Sequence, residues 1–113
     1  MKFRAFHYNY HEADMVAFAS HHNAIIIDTV LNPCFNTAEQ SVRVVLGGVD
    51  NAGEVAAFFG SLPKPETPGT AIAEISALQY TGTGPNWVHV SLTPRMISVP
   101  RDIVIRASQV YES

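Results

Sequence analysis

Charged side chains are scarce in this sequence. Asp, Glu, Lys and Arg make up 15% of its 113 residues, against about 25% in a typical soluble domain. The formal net charge of -3 argues against a nucleic-acid-binding module, because such modules neutralise phosphates with Lys and Arg. A chain with so few charges must keep its apolar surface from water in another way. We therefore expect a homo-oligomer whose subunits cover part of one another.

Cysteine and long apolar runs are also scarce. The single cysteine, Cys34, excludes an internal disulfide, and no Cys/His spacing of the zinc-finger type occurs. The apolar run at residues 24–27 ends at Asp28, and no run approaches the ~20 apolar residues that a membrane-spanning helix needs. The sequence also lacks the apolar segment of a signal peptide. We expect a cytoplasmic protein that does not associate with a membrane.

The length allows a single domain of ordinary size, and its patterns predict an α+β fold. Residues 1–62 read as mixed strands and helices, residues 63–69 as a Pro-rich connector, and residues 70–113 as mainly β structure. Asn9 and Glu12 form a capping-box pattern that predicts a helix over residues 10–22.

Residues 38–48 allow two interpretations. The apolar spacing from Val42 to Val49 favours a helix, whereas the β-branched residues 41–45 alternate and favour a strand. The strand interpretation, followed by a helix that Asp50 caps, gives a ferredoxin-like β-α-β-β-α-β sheet with helices on one face and further C-terminal strands. The alternative is three helices packed on an antiparallel sheet.

Aromatic and basic residues concentrate in the C-terminal part. An aromatic ring stacks on planar groups, and the fork of an Arg binds phosphate or carboxylate. We therefore expect a non-catalytic protein that binds an anionic or nucleotide-like small molecule between these side chains. Interfaces between proteins enrich the same residue types, so an oligomer contact is the competing explanation. The candidate ligand-binding residues are Tyr80, Asn86, Trp87, His89, Arg95 and Arg101.

Two further hypotheses remain open. Asp28 interrupts an apolar strand, where burial would raise the pKa of its carboxyl group and let it act as an acid or base. With His7 as its partner, it would serve a small isomerase- or hydrolase-like enzyme, whereas pairing with an Arg would make it structural. Alternatively, an exposed Trp87 in a flat apolar patch would mark a protein–protein interaction or inhibitor module.

The sequence predicts no metal and no cofactor. Of the five histidines, His11 and His22 would lie about 16 Å apart along the predicted helix. His21 and His22 would point about 100° apart, which does not suit a shared ion. Gly47 and Gly48 lack the Lys-Ser/Thr pair of a phosphate-binding loop.

Overall fold

The computed structural model describes residues 6–37, 40–63, 70–80, 87–95 and 99–113. These residues form one antiparallel sheet of seven strands, in the order β6-β5-β4-β1-β2-β3-β7, and one helix. The elements in chain order are β1 (Ala13–His21), β2 (Ala24–Val30), β3 (Ser41–Gly47), α1 (Ala52–Gly60), β4 (Ala73–Tyr80), β5 (Trp87–Pro94), β6 (Arg101–Arg106) and β7 (Gln109–Glu112).

The predicted ferredoxin-like arrangement is wrong, and so is the three-helix alternative. Residues 10–22, expected to be a helix, hold strand β1, which pairs with both β2 and β4. The register shifts between Met15 and Ala17, so the apolar alternation of the strand is interrupted and resembles helical spacing. Asn9 does not cap a helix but closes a turn, its Oδ1 accepting the backbone N–H of His11 at 2.9 Å.

The turn between β1 and β2 consists of His22 and Asn23. The predicted helix over residues 10–22 would have ended beside Asn23, a residue type that is common at helix ends. In the structure His22 adopts the left-handed conformation, with a φ of 53°. A two-residue turn with positive φ matches the twist of antiparallel strands. Asn23, which suggested a helix end, therefore belongs to the turn of a β-hairpin.

Within residues 38–48, the strand interpretation is confirmed for residues 41–47, which form β3 and pair with β2. Helix α1 lies where the second predicted helix was expected, with Val55 and Phe59 buried. Its N-cap residue is Asn51, whose side chain makes no capping bond. The predicted Pro-rich connector at residues 63–69 lies outside the described residues except for Pro63.

The sheet is strongly curved. A flat seven-stranded sheet would hold its edge strands about 29 Å apart, given about 4.8 Å per spacing. The chain nevertheless connects edge strand β6 to edge strand β7 through Ala107 and Ser108 alone, a span of at most about 11 Å. The sheet is therefore rolled so that its edges approach each other. The N–H of Ser108 donates to the carbonyl of Gly47 at 3.0 Å beside this connection.

The core lies on the inner face of the rolled sheet, where alternate residues are buried. Helix α1 adds Phe59, whose ring stacks on Phe18 of β1 with centroids 4.9 Å apart. Removal from water of a fully buried side chain such as Phe59, which is 2% exposed, contributes roughly 1.5–3 kcal/mol. Among the described residues, no helix is long and apolar enough to cross a membrane. The largest inner residues on the strands are Met15, Ile25, Ile27, Leu46, Ile75, Leu92 and Ile105.

Candidate functional site

A cavity of about 730 Å³ lies between helix α1 and the outer face of β5 and β6. We call it the cleft. It combines two large aromatic side chains with an imidazole, a guanidinium, two carboxylates and an amide. The residues that line it are Asn51, Glu54, Ala57, Phe58, Trp87, His89, Asp102, Ile103, Val104 and Arg106.

The pairing of β5 with β6 builds the sheet wall of the cleft. Trp87 lies opposite Arg106, His89 opposite Val104, and Ser91 opposite Asp102. Because side chains alternate along a strand, these residues project from one face. The intervening residues, among them Val88 and Val90, are buried on the inner face. The core therefore fixes which residues line the cleft.

Asn51 attaches the helix wall to the sheet wall. Its Oδ1 accepts the backbone N–H of Arg106 at 2.9 Å, and its Nδ2 donates to the carbonyl of Val104 at 2.9 Å. The N–H of Asp50 also donates to the carbonyl of Arg106, at 2.8 Å. Asp50 and Asn51 thus bond to backbone groups on the edge of β6 in the way that a neighbouring strand would. Helix α1 begins directly after them and brings Phe58 to the cleft.

An imidazole–carboxylate pair lies on the sheet wall. His89 Nε2 is 3.2 Å from Asp102 Oδ1, and both side chains are accessible to solvent. A hydrogen bond from Ser91 is the largest cause that lowers the pKa of Asp102, and His89 lowers it further. An ionised Asp102 only accepts hydrogen bonds, so Nε2 of His89 carries the proton in this contact. The lone pair of the neutral ring is then on Nδ1.

Arg106 is the only guanidinium that lines the cleft among the described residues. Its Nε lies 3.4 Å from Asp50 Oδ2, and its two terminal nitrogens have no partner within the described part of the chain. Glu54 receives one long hydrogen bond, at 3.4 Å, from Asn51 Nδ2. The cleft thus offers an open guanidinium fork, and the carboxylates of Glu54 and Asp102 limit how much negative charge a ligand can bring.

Two predicted site residues, Trp87 and His89, lie together in the cleft. Asn86 lies outside the described residues. Arg95 follows the far end of β5 and donates to Asp14 Oδ1 at 2.8 Å. Arg101 begins β6 opposite Leu92, at the strand end away from Trp87. Neither Arg95 nor Arg101 lines the cleft.

Tyr80 lies in a different region, at the end of β4. Its ring stacks on Phe6 with centroids 4.9 Å apart, and both residues line a second cavity, of about 580 Å³. The N-terminal segment comprises residues 6–12, and its residues 6–11 line that cavity together with residues 76–80 of β4. Tyr80 is opposite Val88 rather than Trp87 in the sheet, so strand alternation directs it away from the cleft.

Glu112 of β7 anchors the N-terminal segment. Its carboxylate accepts the backbone N–H of His7 at 2.7 Å, the N–H of Tyr8 at 3.2 Å and the hydroxyl of Tyr10 at 2.6 Å. Tyr10 is buried, and burial is the largest cause that raises the pKa of its hydroxyl, followed by the hydrogen bond to Glu112. The carboxylate of Glu112 and its three donors therefore all have hydrogen-bond partners within the protein.

The structure does not bring Asp28 and His7 together. Both carboxylate oxygens of Asp28 accept hydrogen bonds from Arg43 across the β2–β3 ladder, at 2.8 and 3.2 Å. This pairing is the structural explanation that the sequence offered for Asp28. His7 belongs to the N-terminal segment, which is bound to the inner-facing Glu112.

Sequence reasoning missed most of the cleft, namely Asn51, Glu54, Phe58, Asp102 and Arg106. One signal was present in β6, where Ile103 and Ile105 are the apolar positions of an alternating strand. Alternation places Asp102 and Arg106 on the opposite face and Arg101 with the isoleucines. No sequence pattern indicated that α1 would line the cleft, because its position there depends on the rolled sheet bringing β3 and β6 together.

Among the described residues, no group of three or more His, Cys, Asp or Glu side chains could hold a metal ion. Comparisons with protein-family models, curated proteins and solved structures found no match. We therefore infer the function from the chemistry of the side chains that line the cleft.

Proposed function

We propose that this chain binds a small, planar organic molecule with a single negative charge in the cleft. The observation that carries the proposal is the pairing of Trp87 with Arg106 across the β5–β6 ladder. A ring stacked on the indole would place a carboxylate substituent within reach of the open fork of Arg106. Bidentate Arg–carboxylate pairs are among the strongest polar contacts in proteins.

The charges around Arg106 favour a carboxylate over a polyphosphate. Glu54 and Asp102 also line the cleft, and no second guanidinium lines it among the described residues. A second negative charge on the ligand would therefore meet these carboxylates without a cation to offset it. This narrows the anionic or nucleotide-like ligand expected from the sequence to an aromatic carboxylate.

The experiment uses the single tryptophan of the chain, because its fluorescence reports directly on the cleft. We expect benzoate to change the fluorescence saturably, and benzamide and ATP to bind at least about tenfold more weakly, since hydrogen bonds to charged groups contribute about 1.5–3 kcal/mol. Arg106→Gln should weaken benzoate binding by about 10- to 100-fold. Arg101→Gln is the matched control and should bind as the wild type does.

Absence of a saturable change with benzoate would contradict the proposal. Equal binding by Arg106→Gln and the wild type would contradict it as well. Stronger binding of ATP than of benzoate would reject the limit on ligand charge while retaining the cleft as the site.

We also propose that the protein is a homo-oligomer. The low charge content supports this, as does a row of outer-face residues on neighbouring strands, in which Ile26 lies opposite Val45 and Val45 opposite Tyr111. Tyr111 is 56% exposed, although it lies beside other apolar side chains. Sedimentation equilibrium should give a mass above 12.3 kDa, and Tyr111→Glu should lower it. A wild-type monomer at high concentration would contradict this proposal.

A cytoplasmic location is a further proposal. It is supported by the exposed free thiol of Cys34, which a reducing compartment would preserve. Localisation of a tagged copy by fluorescence microscopy tests this proposal.

A protein–protein interaction or inhibitor module has less support, because Trp87 lines a concavity rather than a flat patch.

A further inference from the structure

We propose that the cleft hydrolyses carboxylic esters of planar aromatic acids, with His89 as the general base that activates water. This activity rests on the proposed binding function, and it goes beyond the non-catalytic role expected from the sequence. The aromatic carboxylate that we expect the cleft to bind would be the product of the reaction.

The orientation of His89 supports its role as a base. Asp102 holds Nε2 at 3.2 Å, which leaves the lone pair on Nδ1. Nδ1 has no hydrogen-bond partner within the described part of the chain. A base oriented by a carboxylate is the arrangement that general-base catalysis requires. Asp102 acts through His89 and is therefore a positioning residue.

Arg106 provides the complementary charge. It is the diagonal neighbour of His89 across the β5–β6 ladder, since His89 lies opposite Val104. Diagonal neighbours in an antiparallel pair are about 7–8 Å apart, within reach of long side chains. An ester carbonyl held between His89 and Arg106 would have the general base, His89, on one side. The guanidinium on the other side would stabilise the negative charge that develops on the carbonyl oxygen.

Water is the nucleophile that the cleft favours. Ser91 is not among the residues that line the cleft, and the hydrogen bond of the His89 ring is to Asp102. Cys34 lies in the loop after β2, with its backbone N–H bonded to Asn32, and does not line the cleft. The exposed side chains of Asp102 and Arg106 leave the cleft open to solvent.

The reaction balances with water as the only co-reactant. Nδ1 of His89 removes a proton from water while the water oxygen bonds to the carbonyl carbon. The carbonyl electron pair moves to the oxygen beside Arg106 and then returns, which breaks the bond to the alcohol oxygen. The proton on His89 passes to the departing alkoxide or to solvent. The products are the aromatic carboxylic acid, which ionises, and the alcohol.

The test is hydrolysis of 4-nitrophenyl benzoate by the full chain, followed through the colour of released 4-nitrophenolate. We expect saturable hydrolysis and a loss in kcat/KM of at least about 100-fold in His89→Gln, which is the size of a typical general-base contribution. His21→Gln removes an exposed imidazole at the end of β1 and is the matched control, with an unchanged rate. Circular dichroism checks that both variants are folded.

The split between kcat and KM tests the positioning role. In Asp102→Asn we expect kcat to fall by at least about tenfold with little change in KM, because an amide can donate to Nε2 as well as accept from it and no longer fixes the tautomer of His89. Asp102→Glu keeps a carboxylate and should recover part of the rate. A wild-type kcat in Asp102→Asn would reject the positioning role.

A wild-type rate no higher than that in buffer would overturn the inference, as would equal rates for His89→Gln and His21→Gln. Benzoate binding, measured by tryptophan fluorescence, distinguishes the two failures. If benzoate binds saturably and no ester is hydrolysed, only catalysis is rejected. If benzoate does not bind, the proposed function itself is rejected.

Discussion

The cleft and the N-terminal segment contain similar residue types but use them differently. Each region combines aromatic rings with a carboxylate that contacts a neighbouring polar side chain. The N-terminal segment donates three hydrogen bonds to Glu112 of β7, and the side-chain donor among them, Tyr10, is 2% exposed. In the cleft, Asp102 remains 61% exposed in its side chain, and Arg106 keeps its terminal nitrogens unpaired within the described residues.

The comparison shows that residue type alone does not identify a binding site. Polar groups that satisfy one another around a buried side chain such as Tyr10 stabilise the fold. Polar groups whose hydrogen bonds are incomplete, beside an aromatic wall, can bind a ligand without breaking the structure. Substitutions in the N-terminal segment should therefore affect stability, whereas those in the cleft should affect binding.

The largest effect should come from Glu112→Ala. It leaves two backbone N–H groups and the buried hydroxyl of Tyr10 without their acceptor, and we expect a loss of about 3 kcal/mol in the free energy of unfolding. Glu54→Ala, the same change in the cleft, should alter it by no more than about 0.5 kcal/mol. Urea denaturation measures both. Equal losses would remove the distinction between the regions.

The buried hydroxyl of Tyr10 should make the protein sensitive to alkali. Its pKa is raised in the folded state, so the unfolded chain releases this proton from about pH 10 while the folded chain retains it. Stability contributed by this group is therefore present below pH 10 and lost as the pH rises further, at up to about 1.4 kcal/mol per pH unit.

Tyr10→Phe should flatten this alkaline loss, because the variant has no hydroxyl to release at this position. Urea denaturation between pH 9 and 11.5 compares the slopes. An identical slope in Tyr10→Phe and the wild type would show that Tyr10 is not the responsible group.

Asn51→Ala should weaken the attachment of α1 to β6. It removes the two 2.9 Å hydrogen bonds to the edge strand, and we expect a stability loss of about 1–2 kcal/mol with weaker benzoate binding. Asn51→Asp keeps the acceptor for the Arg106 N–H and should recover part of the stability. Unchanged benzoate affinity in Asn51→Ala would mean that the helix wall does not contribute to binding.

The smallest effect should come from Asp28→Asn. The Asp28–Arg43 pair is exposed, and such surface pairs contribute little to stability. We expect a melting temperature within about 2 °C of the wild type and unchanged hydrolysis of 4-nitrophenyl benzoate. Loss of hydrolysis in this variant would restore the hypothesis that Asp28 is catalytic.

Regular alternation made several strands predictable from sequence. β5 was clear because Val88, Val90 and Leu92 alternate with polar residues without interruption. β1 was not, because the register shift after Met15 breaks the alternation and Asn9 with Glu12 imitates a helix start. Local patterns do not record such a shift, which is set by pairing with β2.

The candidate site was predictable only in part, for a related reason. Trp87 and His89 share a face by strand alternation alone. Arg106 joins them through the β5–β6 register, and Phe58 joins them through the curvature that brings α1 to β6. Contacts of this kind depend on tertiary structure, whereas proximity along the sequence favoured Arg95 and Arg101, which do not line the cleft.

Titration of the isotopically labelled protein with benzoate, followed by NMR, is the most direct test of the cleft as the binding site. The single tryptophan gives one indole N–H signal. We predict that this signal and the backbone signals of His89 and Arg106 shift together and saturate at one ligand concentration, while those of Phe6 and Tyr10 stay in place. Shifts confined to the N-terminal segment, with an unmoved indole signal, would contradict the prediction.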